Sequence, residues 1–139
     1  MNVLLVAVWF RRGHTYVALQ ARDALRAAGH SVHVLARTGH IEGTPVFDDR
    51  DELRLDEGEV TRWPRYRVDA DAFTQLLSEH GFDVVVFVEE QWQPELAIVT
   101  ARLNLPSVNI VMWEFFDPTD RHYENFSVLV FPNRCGAAR

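Results

Sequence analysis

NVLLVAVWF at residues 2–10, followed by RRGHT at 11–15, is the stretch that decides the fold of this chain. The first run is apolar throughout, as in strands that are buried on both faces of a sheet. After the break, apolar residues recur at helical spacing from Tyr16 to Ala28, and Gly29 predicts a left-handed helix end. SVHVLA at 31–36 is the next predicted strand. A strand, a helix and a second strand in this order predict a parallel, doubly wound sheet.

The same alternation of strands and helices continues along the rest of the chain. With right-handed crossovers it gives the strand order 3-2-1-4-5-6, in which strand one is central. We therefore predict a Rossmann-like doubly wound sheet in a three-layer α/β/α sandwich, formed by one domain over residues 1–139. The remaining predicted strands are 60–63, 82–88, 107–113 and 127–131, and the predicted helices are 70–80, 94–104 and 119–125.

The composition excludes several classes of function. The 139 residues are 47% hydrophobic and carry a net charge of −6, so we expect no non-specific binding to nucleic acid. No apolar run reaches the roughly 20 residues of a spanning helix, and no signal peptide is visible, which predicts a cytoplasmic protein. The lone Cys135 excludes an intrachain disulfide and a cysteine-based metal cluster. All 14 basic side chains are arginine, which excludes lysine-based chemistry.

Several known phosphate-binding motifs are missing from the sequence. The turn after strand one has a single glycine, Gly13, so neither the G-x-G-x-x-G fingerprint nor the G-x-x-x-x-G-K-[ST] loop is present. A phosphoacceptor receiver would need a lysine and acids after strands one and three, which the sequence lacks. The DRD sequence at 49–51 has the D-x-D form used by metal-dependent sugar transferases, but its acidic surroundings favour a solvated loop.

Aromatic and acidic side chains collect at the predicted carboxyl ends of strands one, four and five. In a parallel sheet these ends share one edge, which we call the rim. Aromatic faces and carboxylates around a cleft suit a small molecule or glycan with apolar ring faces and hydroxyl groups. The alternative is that the tryptophans pack against another domain or subunit. The predicted rim residues are Trp9, Phe10, Glu89, Glu90, Trp92, Trp113 and Glu114.

His14 stands beside this rim, at the predicted start of the first helix. One interpretation is a loop imidazole that caps the helix. The other is a general base, because an imidazole that is neutral near pH 7 can take a proton from a hydroxyl group. A nearby carboxylate would increase its basicity. The six histidines show no pairing at metal-ligand spacing, so no metal site is predicted.

Two parts of the sequence resemble the N-terminal half of GT-B glycosyltransferases. GHT at 13–15 through GHSVHVL at 29–35 is similar to the opening pattern of that family, GH…AL…L…GHxVxVL. FDVVV at 82–86 and LNLPSV at 103–108 are similar to its later pattern, fDvVv…lgiPsv. The resemblance extends through most of the chain, to SVLVFP at 127–132.

This resemblance implies two Rossmann-like halves that face a cleft, of which the present chain is the acceptor-binding one. The donor-binding half, which would hold a nucleotide-sugar, is expected to be missing from it. In many inverting members a His after strand one is the general base and a carboxylate after strand four orients it; the matching positions are His14 and Glu90. Neither a cofactor nor a bound metal is implied. The implied acceptor-binding residues are Trp9, Phe10, Gly13, Glu89, Trp92, Trp113 and Glu114.

The sequence therefore predicts the acceptor half of a glycosyltransferase, inactive without its donor-binding domain or a partner subunit that supplies it. The alternative, from a different class, is a non-catalytic Rossmann-like module for binding or assembly. A separated half would expose the aromatic rim. We therefore expect self-association through the rim, most simply as a two-fold dimer.

Overall fold

The computed structural model describes residues 1–38, 51–112 and 116–132 of the chain. The strands within them are β1 Asn2–Val8, β2 Ser31–Arg37, β3 Val60–Trp63, β4 Val84–Val88, β5 Ser107–Ile110 and β6 Val128–Val130. The helices are α1 Gly13–Ala27, α2 Ala70–His80 and α3 Pro94–Arg102, and short 3₁₀ turns lie at Asp51–Leu53, Glu57–Glu59 and Arg121–Asn125. The helix predicted over 119–125 is therefore a 3₁₀ turn.

The six strands form one sheet in the order β3-β2-β1-β4-β5-β6. Every pairing in it is parallel, and β1 lies between β2 and β4. This is the order that right-handed crossovers produce. The predicted Rossmann-like fold, with strand one central, is confirmed.

Successive side chains of β1 pack on opposite faces of the sheet, as the period of two in a strand requires. Val3 and Leu5 pack on the side that α1 covers, whereas Leu4 and Val6 pack on the side of α2 and α3. All four are fully buried. Helices therefore cover both faces of the central strands, and the predicted three layers are present.

The ends of α2 follow the signals in the sequence. Asp69 accepts hydrogen bonds from the backbone N–H groups of Asp71, at 3.1 Å, and Ala72, at 2.9 Å, so it is the N-cap. Gly81 ends the helix with a left-handed φ of 58°. Gly29 likewise has a φ of 83° just after α1, as predicted. No described helix is long and apolar enough to cross a membrane.

Candidate functional site

The site lies at the carboxyl ends of β1 and β4, the two strands at the centre of the sheet. The chain leaves β1 for α1 on one face, and it leaves β4 for α3 on the other face. In a doubly wound sheet the loops diverge at such a point and leave a crevice, where ligands bind. The residues that follow these strands are therefore the candidates for function.

Thr15 fixes the start of α1 against the end of β1. Its side chain is fully buried, and its hydroxyl lies 3.2 Å from the carbonyl oxygen of Val8 and also contacts that of Phe10. The N–H of Phe10 points back to the same hydroxyl at 3.4 Å. This turn ends β1 two residues earlier than predicted, and it sets the position of His14 in the first turn of the helix.

His14 and Glu89 form the central contact of the site. The imidazole Nε2 lies 3.2 Å from Glu89 Oε2. The histidine side chain is 23% exposed, whereas the carboxylate is 2% exposed. A carboxylate removed from water interacts strongly with a neighbouring imidazole and favours its protonated form. The pair therefore combines a buried charge with a ring that solvent or a ligand can reach.

The carboxylate that contacts His14 is thus that of Glu89, and the prediction that Glu90 orients His14 has to be corrected. Glu90 is fully buried, with Oε2 at 2.8 Å from Arg37 Nη2 and Oε1 accepting the N–H of Gln93 at 2.9 Å. The physical reason lies in the backbone, because Glu89 has a left-handed φ of 57°. Val86 and Val88 face α1, so continued alternation would have placed Glu90 on that side. The turn at Glu89 exchanges the two carboxylates, so that Glu89 meets His14 and Glu90 meets Arg37.

Glu90 belongs to a buried polar cluster on the side of α2 and α3. The guanidinium of Arg37, 1% exposed, also lies over the ring of Tyr66 at 4.9 Å. Burial raises the pKa of the Glu90 carboxyl, and the positive charge of Arg37 opposes that shift. Among the described residues, Nε and Nη1 of Arg37 have no hydrogen-bond acceptor.

The backbone of Glu90 is held by residues that the sequence analysis did not single out. Asn109 of β5 bonds both its N–H, at 3.2 Å, and its carbonyl oxygen, at 3.3 Å. His122 Nε2 lies 3.1 Å from the same oxygen, and its Nδ1 lies 2.9 Å from Asp120 Oδ1. The available signal for Asn109 was a lone polar residue inside an apolar strand, and for Arg37 a charge at the end of one.

Trp9 does not line a cleft, and the prediction that it is exposed on the rim is wrong. It is 2% exposed and packs in the cluster beneath α1. Its indole Nε1 donates a 2.6 Å hydrogen bond to the carbonyl oxygen of Leu53. The segment around Leu53 and Leu55 covers this end of β1, so Trp9 is a core residue.

The other predicted rim residues differ in their placement. Trp92 is 52% exposed, and Phe10 is half-buried with the guanidinium of Arg12 over its ring at 5.6 Å. Gly13 begins α1, and a Cβ there would meet no atom within 4 Å, so packing does not require glycine. Trp113 and Glu114 lie outside the described residues.

A cleft of about 560 Å³ opens beside the site, between the loop before α2 and the start of α3. Trp63, Arg65 and Arg67 are among its lining residues, and Gln93 forms part of its wall. Gln93 bonds the N–H of Val68 at 2.9 Å and its carbonyl oxygen at 2.6 Å. The described residues contain no cluster of three or more His, Cys, Asp or Glu side chains suited to a metal ion.

Comparison with known proteins supports the fold. No protein-family model matches the sequence, and no curated protein matches it. Among solved structures the chain is similar to MurG from Acinetobacter baumannii, with 13% identity and a TM-score of 0.65, over 94% of this chain and 40% of that one. It is also similar to UDP-GlcNAc 2-epimerase from Methanocaldococcus jannaschii, with 12% identity and a TM-score of 0.66, over 99% of this chain and 41% of that one.

The chain therefore spans about two fifths of the length of each of these two proteins. At such identities the likeness shows the fold alone. The predicted resemblance to a GT-B domain is confirmed at the level of architecture.

Replacing Glu89 by glycine should leave the protein more stable than replacing it by alanine, by about 1 kcal/mol. Both variants lose the carboxylate, but only alanine keeps a Cβ, which is unfavourable at a φ of 57°. Urea unfolding followed by far-UV circular dichroism measures the difference between the two free energies of unfolding.

Glu79, exposed on α2, is the matched control for this pair of substitutions. In a helix the order inverts, and alanine should be favoured over glycine by about 1 kcal/mol. If alanine at position 89 proves as stable as glycine, the left-handed backbone at this position is refuted.

Protein stability should decrease between about pH 10 and pH 12 because of Tyr66. Burial raises the pKa of Tyr66 to about 12 from 10.0, with Arg37 acting in the opposite direction. In this range the unfolded chain releases the phenol proton and the folded chain keeps it, so rising pH favours unfolding.

Tyr66→Phe keeps the ring against Arg37 and removes the phenol. It should reduce the loss of stability across that pH range by up to about 2 kcal/mol. Urea midpoints measured at several alkaline pH values test this. A variant with the same pH dependence as the unaltered protein would contradict the burial of the hydroxyl.

Proposed function

We propose that this chain is the acceptor-binding half of a glycosyltransferase that moves a sugar from a nucleotide-sugar donor to an acceptor hydroxyl. The observation that carries the proposal is the contact of 3.2 Å between His14 Nε2 and Glu89 Oε2 at the central crevice of the sheet. In this proposal His14 is the general base and Glu89 is the carboxylate that orients it.

The proposed chemistry follows from the contact between the ring and the carboxylate. Glu89 holds the imidazole through Nε2 and favours its charged form, so the ring would take the proton of the acceptor hydroxyl. As that proton moves to the ring, the acceptor oxygen bonds to the anomeric carbon and the nucleoside diphosphate leaves with its bonding electrons. The Glu89 carboxylate stabilises the imidazolium that forms, because its charge is buried beside the ring.

The acceptor would lie along the rim, next to His14. Trp92 is about half exposed, and an indole ring is of the kind that packs on sugar rings. The cleft lined by Trp63, Arg65 and Arg67 opens close by, since Arg67 Nη2 lies 3.5 Å from the carbonyl oxygen of Trp92. Phe10, Gly13, Trp113 and Glu114 stay proposed contacts of the acceptor, whereas the buried Trp9 is no longer one of them.

The donor would bind to a second half that is not part of this chain. Support comes from the length comparison, because the chain spans only 40% and 41% of two proteins with the same fold. The alternative remains a non-catalytic module for binding or assembly. The buried Glu89, with its strained left-handed φ, favours the enzyme, because such strain collects at functional sites. Self-association through the rim stays a prediction.

In the full-length enzyme, His14→Ala should lower turnover by about 100-fold or more, as loss of a general base does. Steady-state transfer assays at saturating donor and acceptor measure the change. The control is His30→Ala. His30 lies just before β2, at the amino ends of the strands, so this change should leave turnover unchanged. If His14→Ala keeps near-normal turnover, His14 is not the base.

The 139-residue chain alone should bind no nucleotide-sugar and transfer no sugar, because the proposed donor-binding groups are not in it. Isothermal titration calorimetry with UDP- and dTDP-sugars at millimolar concentration tests the binding. Tight binding of either one would overturn the assignment of this chain to the acceptor side.

A further inference from the structure

Both backbone polar groups of Glu90, at the end of β4, are bonded by one side chain. The regular ladder with β5 ends where the N–H of Glu89 donates to the carbonyl oxygen of Ile110 at 2.9 Å. One residue later a side chain replaces the ladder. Asn109 Oδ1 accepts the N–H of Glu90 at 3.2 Å, and Asn109 Nδ2 donates to the carbonyl oxygen of Glu90 at 3.3 Å.

The orientation of this amide is fixed by chemistry. A backbone N–H can only donate and a backbone carbonyl can only accept, so the oxygen and the nitrogen of the Asn109 side chain cannot exchange places. The side chain is 1% exposed, so water does not compete for these bonds. Asn109 therefore sets both polar groups of one residue, Glu90, at once.

The residue before this clamp is the one in the unfavourable conformation. A non-glycine residue with a φ of 57° is strained, and it keeps that conformation only where its surroundings hold it. For Glu89 the hold comes from both sides, through Ile110 at its own N–H and through Asn109 at the next residue, Glu90. The direction of the Glu89 side chain depends on this backbone conformation.

We infer that Asn109 is a positioning residue for the His14–Glu89 pair. It acts by holding the backbone N–H and carbonyl groups of Glu90. This hold fixes the left-handed turn at Glu89, and the turn brings the Glu89 carboxylate to His14. The inference rests on the proposed function, in which that carboxylate orients the base. Arg37 and Gln93 anchor the Glu90 side chain and His122 shares its carbonyl oxygen, but Asn109 accepts its N–H.

The test is an NMR titration of His14 in the 139-residue chain, with its signals assigned from their loss in His14→Gln. Glu89→Gln should move the titration midpoint of His14 to lower pH by about 1 unit, because a carboxylate favours the charged imidazole. Asn109→Ala should move the midpoint in the same direction by at least half of that amount. The double variant should show no more than the shift of Glu89→Gln alone, because both changes break one interaction.

Ser107→Ala is the matched control. Ser107 lies on the same strand and is equally buried at 1% exposure, but its hydroxyl accepts the N–H of Ser127 and not a group of Glu90. It should leave the His14 midpoint unchanged. If Asn109→Ala fails to fold, as judged from its amide spectrum, Asn109→Val serves instead, because a β-branched side chain suits a strand and cannot make the clamp.

The outcomes separate this inference from the proposed function. No shift with Glu89→Gln would overturn the pairing of His14 with Glu89, and with it the proposed base. A shift with Glu89→Gln but none with Asn109→Ala or Asn109→Val would overturn only the positioning role of Asn109. Additive shifts in the double variant would overturn it as well, because Asn109 would then act by another route.

Discussion

Two neighbouring carboxylates, Glu89 and Glu90, are buried where the central strand β4 ends, and the arrangement of the whole site follows from supplying each with a partner. An unpaired buried charge is costly, so each needs a cation or several hydrogen-bond donors. His14 approaches Glu89 from α1, and Arg37 approaches Glu90 from the end of β2. The left-handed turn at Glu89 makes both pairings available to adjacent residues. Of these two identical side chains, Glu90 anchors the structure and Glu89 is the candidate for chemistry.

The opening of the chain was sufficient to predict the architecture, because periodicity and caps are local properties. The apolar run of β1, the helical spacing after His14 and the glycine after α1 indicate the doubly wound class. The strand order then follows from the alternation of strands and helices along the rest of the chain. Which of Glu89 and Glu90 contacts His14 was not a local property. It depends on the φ angle of Glu89, which the hydrogen bonds to Ile110 and Asn109 hold.

The position of Trp9 could not be predicted from local sequence either, because it depends on packing. The last residue of an apolar run can face a ligand or support the core, and its own neighbours in sequence do not decide between the two. The decision comes from a segment more than forty residues away, whose Leu53 carbonyl accepts the indole N–H and whose Leu55 covers the strand end. Asn109 was visible as a polar interruption of a strand, but its partner was not.

The fold by itself leaves the reaction open, since a similar architecture occurs in MurG and in UDP-GlcNAc 2-epimerase. The proposed sugar transfer therefore depends on the contact between His14 and Glu89 at the crevice. A buried carboxylate beside an imidazole that solvent reaches is the arrangement on which the proposed proton transfer relies.

The central place of β1 also has a consequence for synthesis on the ribosome. Within this sheet, β1 pairs on one edge with β2, which follows soon after it in the chain, and on the other edge with β4, which is made much later. Until then an apolar strand edge stays open, and such edges invite pairing with other chains. The seam that closes it is the one that brings His14 to Glu89, so the site is assembled only when this late joint forms.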